Sequence, residues 1–227
     1  MNLHLLLDCA DPAQWQEWLP SGLFRGVTCN PTLLRRAAQP CTLEGLAELS
    51  RQALALGAGE IHLQAWGPDA DGLERCGQAL AALAPGQILV KLPVTRAGTE
   101  AARRLIADGV PVTFTACYAV HQVLVAAALG ARYIAPYLGR ISDLGRDGTA
   151  ELIAMQAALD GVGSGTRLLV ASLRQSADLG RLAGAGLDCF TLSPAIAAAL
   201  FAVEETNAAA QVFEEDAAAG RREGSPG

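Results

Sequence analysis

The chain has 227 residues and a formal net charge of −6 at pH 7, and 51% of its residues are hydrophobic although only 5% are aromatic. An acidic chain without a block of Lys and Arg lacks the clustered cations that nucleic-acid phosphates require, so we expect no nucleic-acid binding. The arginine pairs at 35–36, 103–104 and 221–222 are isolated, and we interpret them as solvated helix faces or tail. No segment offers the roughly 18 uninterrupted apolar residues of a membrane span, so we expect a cytoplasmic protein without membrane contact.

Cysteine and histidine are placed without the spacing of a metal site. The three histidines lie far apart at 4, 62 and 121, and no C-x-x-C pair occurs among the six cysteines, Cys9, Cys29, Cys41, Cys76, Cys117 and Cys189. Zinc sites need closely spaced Cys and His ligands, so we expect no metal. A glycine-rich dinucleotide fingerprint is also missing after the first apolar run, and we expect no cofactor. We expect most of the cysteines to be reduced, small buried hydrophobes.

Short apolar runs alternate with longer Ala- and Leu-rich stretches along the chain. This alternation predicts βα units around a parallel sheet. The candidate strands, in chain order, are 3–7, 26–28, 61–64, 88–91, 112–115, 133–135, 168–171 and 189–191. We predict helices between them, including one that ends at Gly109 and one that stops at Gly130, because glycine is a favourable residue after a helix end. The stretch 32–58 predicts two helices broken near Pro40.

Eight strands with intervening helices predict a single (β/α)8 TIM barrel over 1–201. A doubly wound sheet is the alternative, and the missing dinucleotide fingerprint argues against it. Residues 202–219 are strongly helix-prone, so we predict an appended C-terminal helix that packs either on its own barrel or on a neighbouring subunit. The remaining tail, 220–227, is predicted to be disordered.

A lysine interrupts the apolar, β-prone segment "QILVKLPV" at 87–94. On the predicted barrel, Lys91 falls at the C-terminal end of strand four, and TIM-barrel enzymes build their sites on that face. A lysine that attacks a ketone forms an iminium ion, which acts as an electron sink for cleaving the adjacent carbon–carbon bond. The other interpretation is a structural lysine paired with Asp8 or another acid.

Polar residues also stand at the ends of the other predicted strands: Asp8, Thr28, Asn30, Gln64, Thr115, Tyr137, Arg140, Ser172 and Arg174. Iminium chemistry needs several proton transfers, for which Asp8 and Tyr137 are the candidates. A bidentate arginine such as Arg140 or Arg174, helped by Ser172, suits a substrate phosphate.

Each of these residues also has an ordinary structural interpretation. Asp8 could cap the helix that starts near Pro12, and Asn30 could mark a turn and a helix start. Tyr137 could be an aromatic residue at the barrel mouth, and Gln64 could pack in a barrel layer. The two arginines could form surface ion pairs.

Four segments resemble the transaldolase family. They are "FRGVTCNPTLL" (24–34), "ILVKLPVTRAG" (88–98), "YIAPYLGRISDLGRDG" (133–148) and "LLVASLRQ" (168–175), and the resemblance runs from about residue 5 to residue 213. It implies that Lys91 is the Schiff-base lysine and that Asp8 handles protons at the substrate hydroxyls. It implies further that Asn30, with Thr28 beside it, holds the donor's hydroxymethyl end and that Thr115 helps to hold a catalytic water. The phosphate positions of the family match Arg140, Ser172 and Arg174.

Within the family, Gln64, Ala135 and Tyr137 together with the short chain resemble the fructose-6-phosphate aldolase branch. This implies a class I aldolase that reversibly cleaves fructose 6-phosphate to dihydroxyacetone and glyceraldehyde 3-phosphate. The alternative is a transaldolase that transfers the dihydroxyacetone unit to an aldose phosphate such as erythrose 4-phosphate. The branch also implies a ring-like homo-oligomer, such as a decamer, with the last helix crossing to a neighbour. Cys9 and Cys29 replace threonines common in the family, which we interpret as packing, and sensitivity of the two thiols to oxidation is the alternative.

Overall fold

The computed structural model describes residues 3–223, and the side chains as far as residue 220. The strands are β1 His4–Asp8, β2 Gly26–Thr28, β3 Glu60–Gln64, β4 Ile88–Pro93, β5 Val112–Cys117, β6 Tyr133–Pro136, β7 Arg167–Leu168 and β8 Cys189–Leu192. The α-helices are α1 Pro12–Trp18, α2 Pro31–Arg36, α3 Leu43–Ala55, α4 Ala70–Ala81, α5 Arg96–Ala107, α6 Val123–Leu129, α7 Leu138–Asp143, α8 Gly148–Gly161, α9 Ala177–Gly184, α10 Pro194–Ala199 and α11 Glu204–Glu223. Short 3-10 helices occupy Leu19–Ser21 and Val120–Gln122.

All strand pairings are parallel, and the strands follow the order β7-β6-β5-β4-β3-β2-β1-β8. A bridge between Val170 and Phe190 brings the two ends of this sheet together and closes the ring. The predicted TIM barrel is therefore confirmed, and the doubly wound alternative is wrong. The predicted helix break near Pro40 is also present, because α2 ends at Arg36 and α3 starts at Leu43.

The seventh strand is shorter than the predicted 168–171. Regular pairing with β6 covers only Arg167–Leu168, and beyond it the pairing continues as two isolated bridges, from Val170 to Phe190 and from Ala171 to Tyr137. The Leu169 N–H donates to the Ile134 carbonyl of β6, whereas the Val170 N–H donates to the Cys189 carbonyl of β8. The chain then leaves the extended conformation at Ser172, whose φ is 61°.

Alternate residues of the strands face two different environments. On β4, Ile88, Val90 and Leu92 belong to the large core between the strands and the helices. Leu89 belongs instead to a separate cluster inside the barrel, whose members are Leu6, Leu89, Tyr133, Ala135, Leu169 and Cys189. Because side chains alternate along a strand, Lys91 faces the barrel interior on the same side as Leu89.

Several helices begin directly after their strands because a polar residue caps the first turn. The side chain of Asp11 accepts from the Ala13 N–H at the start of α1, and that of Asn30 accepts from the Leu33 N–H at the start of α2. Comparable caps start further helices at Thr42, Asp69, Thr95, Asp147 and Ser193. The cap of α1 is therefore Asp11, which leaves Asp8 without that structural role.

A buried polar network lies at the start of β3. The Glu60 side chain is 3% exposed, and its carboxylate accepts from Arg25 Nε at 3.0 Å and from the Tyr133 hydroxyl at 3.0 Å. His62 Nε2 lies 3.4 Å from the same carboxylate, and His62 Nδ1 lies 2.9 Å from the Thr113 hydroxyl. Burial alone would raise the pKa of Glu60, but the interactions with His62, Arg25 and Tyr133 outweigh it and lower the pKa to about 2.

The C-terminal helix α11 is present but makes little contact with its own barrel. Its apolar residues Val212 and Phe213 are 50% and 70% exposed. The helix runs past the predicted end at 219 as far as Glu223. The disorder of 220–227 stays a prediction, and 224–227 lie outside the described residues. No helix within residues 3–223 is both long and apolar enough to cross a membrane.

We expect Glu60→Gln to reduce stability most at neutral pH. The folded-state pKa of Glu60 is about 2 against an ordinary value of 4.5, so its ionised form stabilises the fold above pH 4.5. That contribution, on the order of 3 kcal/mol, is lost as the pH falls from 4.5 towards 2. Denaturant unfolding of both proteins across this range should show a stability gap that narrows with acid. A gap that stays constant down to pH 2 would contradict this account of Glu60.

Candidate active site

Lys91 is the only lysine in the chain, and it is 5% exposed. Its Nζ donates a hydrogen bond of 2.9 Å to the main-chain carbonyl of Cys29, just beyond the end of β2. Among the described residues, no carboxylate lies within salt-bridge distance of this amine. The interpretation of Lys91 as half of a structural ion pair is therefore not supported, because no acidic partner is present among these residues.

Asp8 ends β1 and is half-buried at the mouth of the barrel. Its Oδ1 accepts a 2.6 Å hydrogen bond from the Thr28 hydroxyl, which lies 2.7 Å from the Thr191 hydroxyl. Burial raises the pKa of Asp8 above its ordinary 3.8, while the charge of Lys91, the Thr28 hydrogen bond and the charge of Arg140 oppose that rise. A carboxyl group with a raised pKa is suited to exchanging protons with a substrate.

Tyr137 follows β6, and its phenol is hydrogen-bonded to the hydroxyl of Thr115 on β5. The Arg140 guanidinium carbon lies 4.7 Å from the centre of the Tyr137 ring, and Tyr118 meets the ring edge-on at 5.6 Å between centroids. These contacts hold the Tyr137 ring in one orientation. Its hydroxyl can donate or accept a proton from that fixed position.

A cavity of about 300 Å³ opens at the C-terminal ends of the strands. Its polar lining is Asp8, Thr28, Asn30, Thr32, Arg36, Lys91, Tyr137, Arg140, Ser172, Arg174, Thr191 and Ser193. Its volume is at the small end of the range for sites of small-molecule ligands. Asp8 is the sole carboxylate in this lining, against three arginines. The cavity therefore suits a small anionic ligand.

The predicted phosphate residues lie together on one side of this cavity. Arg140 reaches the Tyr118 hydroxyl at 3.4 Å, and Arg174 pairs with Asp143 at 2.6 Å. The Arg174–Asp143 pair is 62% exposed on both sides, so it stabilises the fold little and can open to a ligand. Gly139 permits this close arrangement, since a Cβ there would lie 2.4 Å from Arg174 Nε and 2.5 Å from the Ser172 carbonyl oxygen.

Two predicted residues do not line the cavity. The Gln64 amide donates to the main-chain carbonyls of Lys91 at 3.1 Å and Ala65 at 3.3 Å, so it supports the strand that carries the lysine. Thr115 reaches the site only through the hydroxyl of Tyr137. Asn30 caps α2 through Oδ1, as its structural interpretation predicts, and its side chain also lines the cavity.

Several lining residues were not among the predicted site residues. Thr191 is the second-last residue of β8 and Ser193 directly follows that strand. Both lie at the C-terminal face of the barrel, where TIM-barrel enzymes build their sites. Arg36 was assigned to a solvated face, and it is exposed as expected, but its side chain also lines the cavity one helical turn after Thr32. The hint in the sequence was the spacing of Thr32 and Arg36, which places both on one face of the helix after Asn30.

The thiols of Cys9 and Cys29, the cysteines that replace family threonines, lie outside the cavity. Cys9 and Cys29 are both buried in the core between the strands and the helices. Burial raises the pKa of the Cys29 thiol to about 12, so this thiol stays protonated at neutral pH. Within residues 3–223, no three His, Cys, Asp or Glu side chains come together as a metal site would require.

The sequence is similar to one family over nearly its whole length. The family described as Transaldolase/Fructose-6-phosphate aldolase matches residues 5–224. A probable transaldolase of Phenylobacterium zucineum is 34% identical over 94% of this chain and 96% of its own. Probable transaldolases of Caulobacter vibrioides and Hyphomonas neptunium are 33% and 32% identical, over 94% and 95% of this chain and 96% and 97% of their own.

Solved structures support the fold. A thiamine phosphate pyrophosphorylase of Pyrococcus furiosus superposes with a TM-score of 0.59 at 13% identity, over 85% of each chain. A mandelate oxidase superposes with a TM-score of 0.57 at 17% identity, over 84% of this chain and 64% of its own. At such low identity these likenesses concern the barrel alone.

We expect Thr28→Val to raise the pKa of Asp8 further. A hydrogen bond donated to a carboxylate favours its charged form, and the valine cannot donate one. Carbon-13 NMR titration of the Asp8 carboxyl group measures this directly. Thr113→Val is the matched control, because Thr113 is a buried barrel threonine that bonds to His62 instead. An Asp8 titration that does not move in Thr28→Val would show that this hydrogen bond does not tune the carboxyl group.

Proposed function

Because this chain belongs to the Transaldolase/Fructose-6-phosphate aldolase family, we propose that its Lys91 forms a Schiff base with a ketose phosphate and transfers the dihydroxyacetone unit to an aldose phosphate. The protein is an enzyme of the aldolase or transaldolase type. The observation that carries the proposal is a single buried lysine, without a carboxylate partner among the described residues, that opens onto an anion-suited cavity.

The chemistry follows from the groups around this amine. The neutral Lys91 amine adds to the ketone carbon to give a carbinolamine, which loses water to form an iminium ion. The Asp8 carboxylate takes the proton of the C4 hydroxyl, and the C3–C4 electron pair moves into the iminium. An aldehyde phosphate departs, and a three-carbon enamine remains on Lys91. The raised pKa of Asp8 fits a group that must hold this proton and return it.

The remaining lining residues hold the two ends of the substrate. Arg140, Ser172 and Arg174 bind the phosphate of the ketose or of the acceptor, in agreement with their shared side of the cavity. The free amide nitrogen of Asn30 binds the hydroxymethyl end, since its oxygen is already used by the α2 cap.

The fate of the enamine separates two candidate reactions. Addition to an aldose phosphate regenerates a ketose and completes transfer, and the names of the curated relatives favour this outcome. Protonation of the enamine instead releases dihydroxyacetone, which is the fructose-6-phosphate aldolase reaction. The specific observation in favour of this second candidate is the Tyr137 phenol, which lines the cavity and is bonded to Thr115.

We propose further that α11 packs on a neighbouring copy in a ring-like homo-oligomer and that the enzyme works in the cytoplasm. The exposure of Val212 and Phe213 supports the first part, because these apolar side chains are left uncovered by their own barrel. On this proposal, the barrel over 1–201 is the catalytic domain and the helix serves assembly.

The two reactions are separated by supplying fructose 6-phosphate without an acceptor and measuring glyceraldehyde 3-phosphate. If transfer is the function, release stops at about one equivalent per site, because the enamine has no acceptor and hydrolysis is slow. Adding erythrose 4-phosphate should then restart the release. Sustained release without an acceptor would establish the aldolase, and no release under either condition would contradict the Schiff-base proposal itself.

Tyr137→Phe tests whether the phenol protonates the enamine. Any release beyond the first equivalent should fall by roughly a hundred-fold or more in this variant, because a positioned general acid contributes that much. Transfer to erythrose 4-phosphate should fall less. Tyr118→Phe is the control, because Tyr118 packs on Tyr137 from outside the lining of the cavity. Its hydroxyl contacts Arg140, so any loss that this variant causes should affect both reactions alike. Equal losses in the two reactions would exclude Tyr137 as the proton donor to the enamine.

A further inference from the structure

Thr191 is a buried residue of the cavity lining to which the proposed reaction gives no role. Cys189 belongs to the cluster inside the barrel, and Thr191 comes two residues later on β8, so its side chain also faces the interior. The residue is 3% exposed. Among the described residues, its hydroxyl has a single hydrogen-bond partner, the hydroxyl of Thr28 at 2.7 Å. Thr191 is therefore connected to the other polar groups of the site through Thr28.

The contact between these two hydroxyls passes over the strand that carries Asp8. The sheet order places β1 between β2, which ends at Thr28, and β8, which carries Thr191. Asp8 is the register partner of Thr28, and Leu6 is the register partner of Thr191. The three polar side chains therefore meet on the inner face of one strand, and the Thr28 hydroxyl is hydrogen-bonded to both of the others.

The direction of both hydrogen bonds follows from the number of protons. An ionised carboxylate only accepts, so the Thr28 hydroxyl donates its single proton to Asp8 Oδ1 at 2.6 Å. The Thr28 oxygen then accepts from Thr191, whose hydroxyl must be the donor of the 2.7 Å bond. The result is an ordered chain from Thr191 to Thr28 to Asp8. In such a chain each bond polarises the next, so Thr191 strengthens the bond that Thr28 donates to the carboxylate.

We propose that Thr191 is a positioning residue, which acts on Asp8 through Thr28 by keeping the Thr28 hydroxyl turned towards the carboxylate. The proposal rests on the function proposed above, in which Asp8 takes the proton of the substrate C4 hydroxyl. Oδ1 is held by Thr28, whereas Oδ2 has no hydrogen-bond partner among the described residues and is available to that hydroxyl. Thr191 therefore helps to keep the base ionised and fixed before the proton arrives.

Thr191→Val removes the hydroxyl and keeps the shape of the side chain. In a carbon-13 NMR titration, Asp8 should take up its proton at a pH higher by roughly half a unit, because the carboxylate loses the support that reaches it through Thr28. Cleavage of fructose 6-phosphate with erythrose 4-phosphate present should show the same displacement in the acid limb of the kcat/KM profile, since the base must be ionised. At a pH above that limb, the rate should be close to that of the wild type.

Three comparisons separate positioning from packing. Thr191→Ser keeps the donor and should titrate and react like the wild type. Thr28→Val should raise the pKa of Asp8 further than Thr191→Val does, and combining the two should add nothing to Thr28→Val alone, because Thr191 acts through Thr28. Thr113→Val is the matched control at a buried barrel threonine that bonds to His62, and it should leave the Asp8 titration unchanged.

The proposal is refuted if Thr191→Val leaves the Asp8 titration unmoved, if Thr191→Ser moves it as far as Thr191→Val does, or if the effects of Thr28→Val and Thr191→Val add. A rate lowered by one factor at every pH would also refute it, since that is the result expected of a packing role. Absence of cleavage by the folded wild-type enzyme would instead refute the proposed function. The Asp8 titration needs no substrate, so it would still decide whether Thr191 acts on Asp8.

Discussion

The hydrogen bond from Lys91 Nζ to the Cys29 carbonyl is the interaction on which the site depends. It holds a buried amine by a main-chain acceptor and leaves Asp8 free to bond to Thr28 instead of to the lysine. The amine is therefore held by a main-chain oxygen, and among the described residues no carboxylate forms an ion pair with it. The strands β2 and β4 that bring these two groups together belong to the closed barrel. Closure of the sheet therefore positions the reactive group.

The barrel interior separates its polar groups into two zones. The network around Glu60, His62 and Tyr133 occupies the end where the strands begin, and Asp8 and Lys91 occupy the end where they finish. Apolar side chains between the zones, Leu6, Leu89, Ala135 and Leu169 among them, fill the middle of the barrel. This division agrees with the general pattern in TIM barrels, in which one end serves stability and the other carries chemistry. Glu60 and Lys91 therefore lie inside the same barrel without sharing a hydrogen-bond partner.

Much of the architecture could be predicted from periodicity, because each strand is a short apolar run bounded by helix-prone sequence. The seventh strand was the exception, since regular pairing there gives way to isolated bridges at Val170 and Ala171, and composition carries no trace of that irregularity. The length of α11 was also underestimated, because helix propensity falls gradually towards the tail while the helix itself continues. Most residues of the candidate site could be located because polar side chains at strand ends stand out against apolar strands.

The sequence could not show in which direction each side chain at a strand end points. Gln64 and Thr115 stand at strand ends, yet one supports the main chain of Lys91 and the other reaches the site through Tyr137. Arg35 and Arg36 are both exposed, and only the path of α2 at the barrel mouth shows that Arg36 is the one that lines the cavity. The sequence does show that Lys91 is the only lysine in the chain. Schiff-base formation by a lysine side chain can therefore be tested at a single residue.

That test is the intact mass of the protein after incubation with fructose 6-phosphate and borohydride. The account predicts one stable adduct per chain, located by peptide mapping on Lys91, and no such adduct in Lys91→Met. Because the chain has no other lysine, a side-chain Schiff base has a single place to form. Failure of the folded wild-type protein to form the adduct, or equal labelling of Lys91→Met, would contradict the central claim.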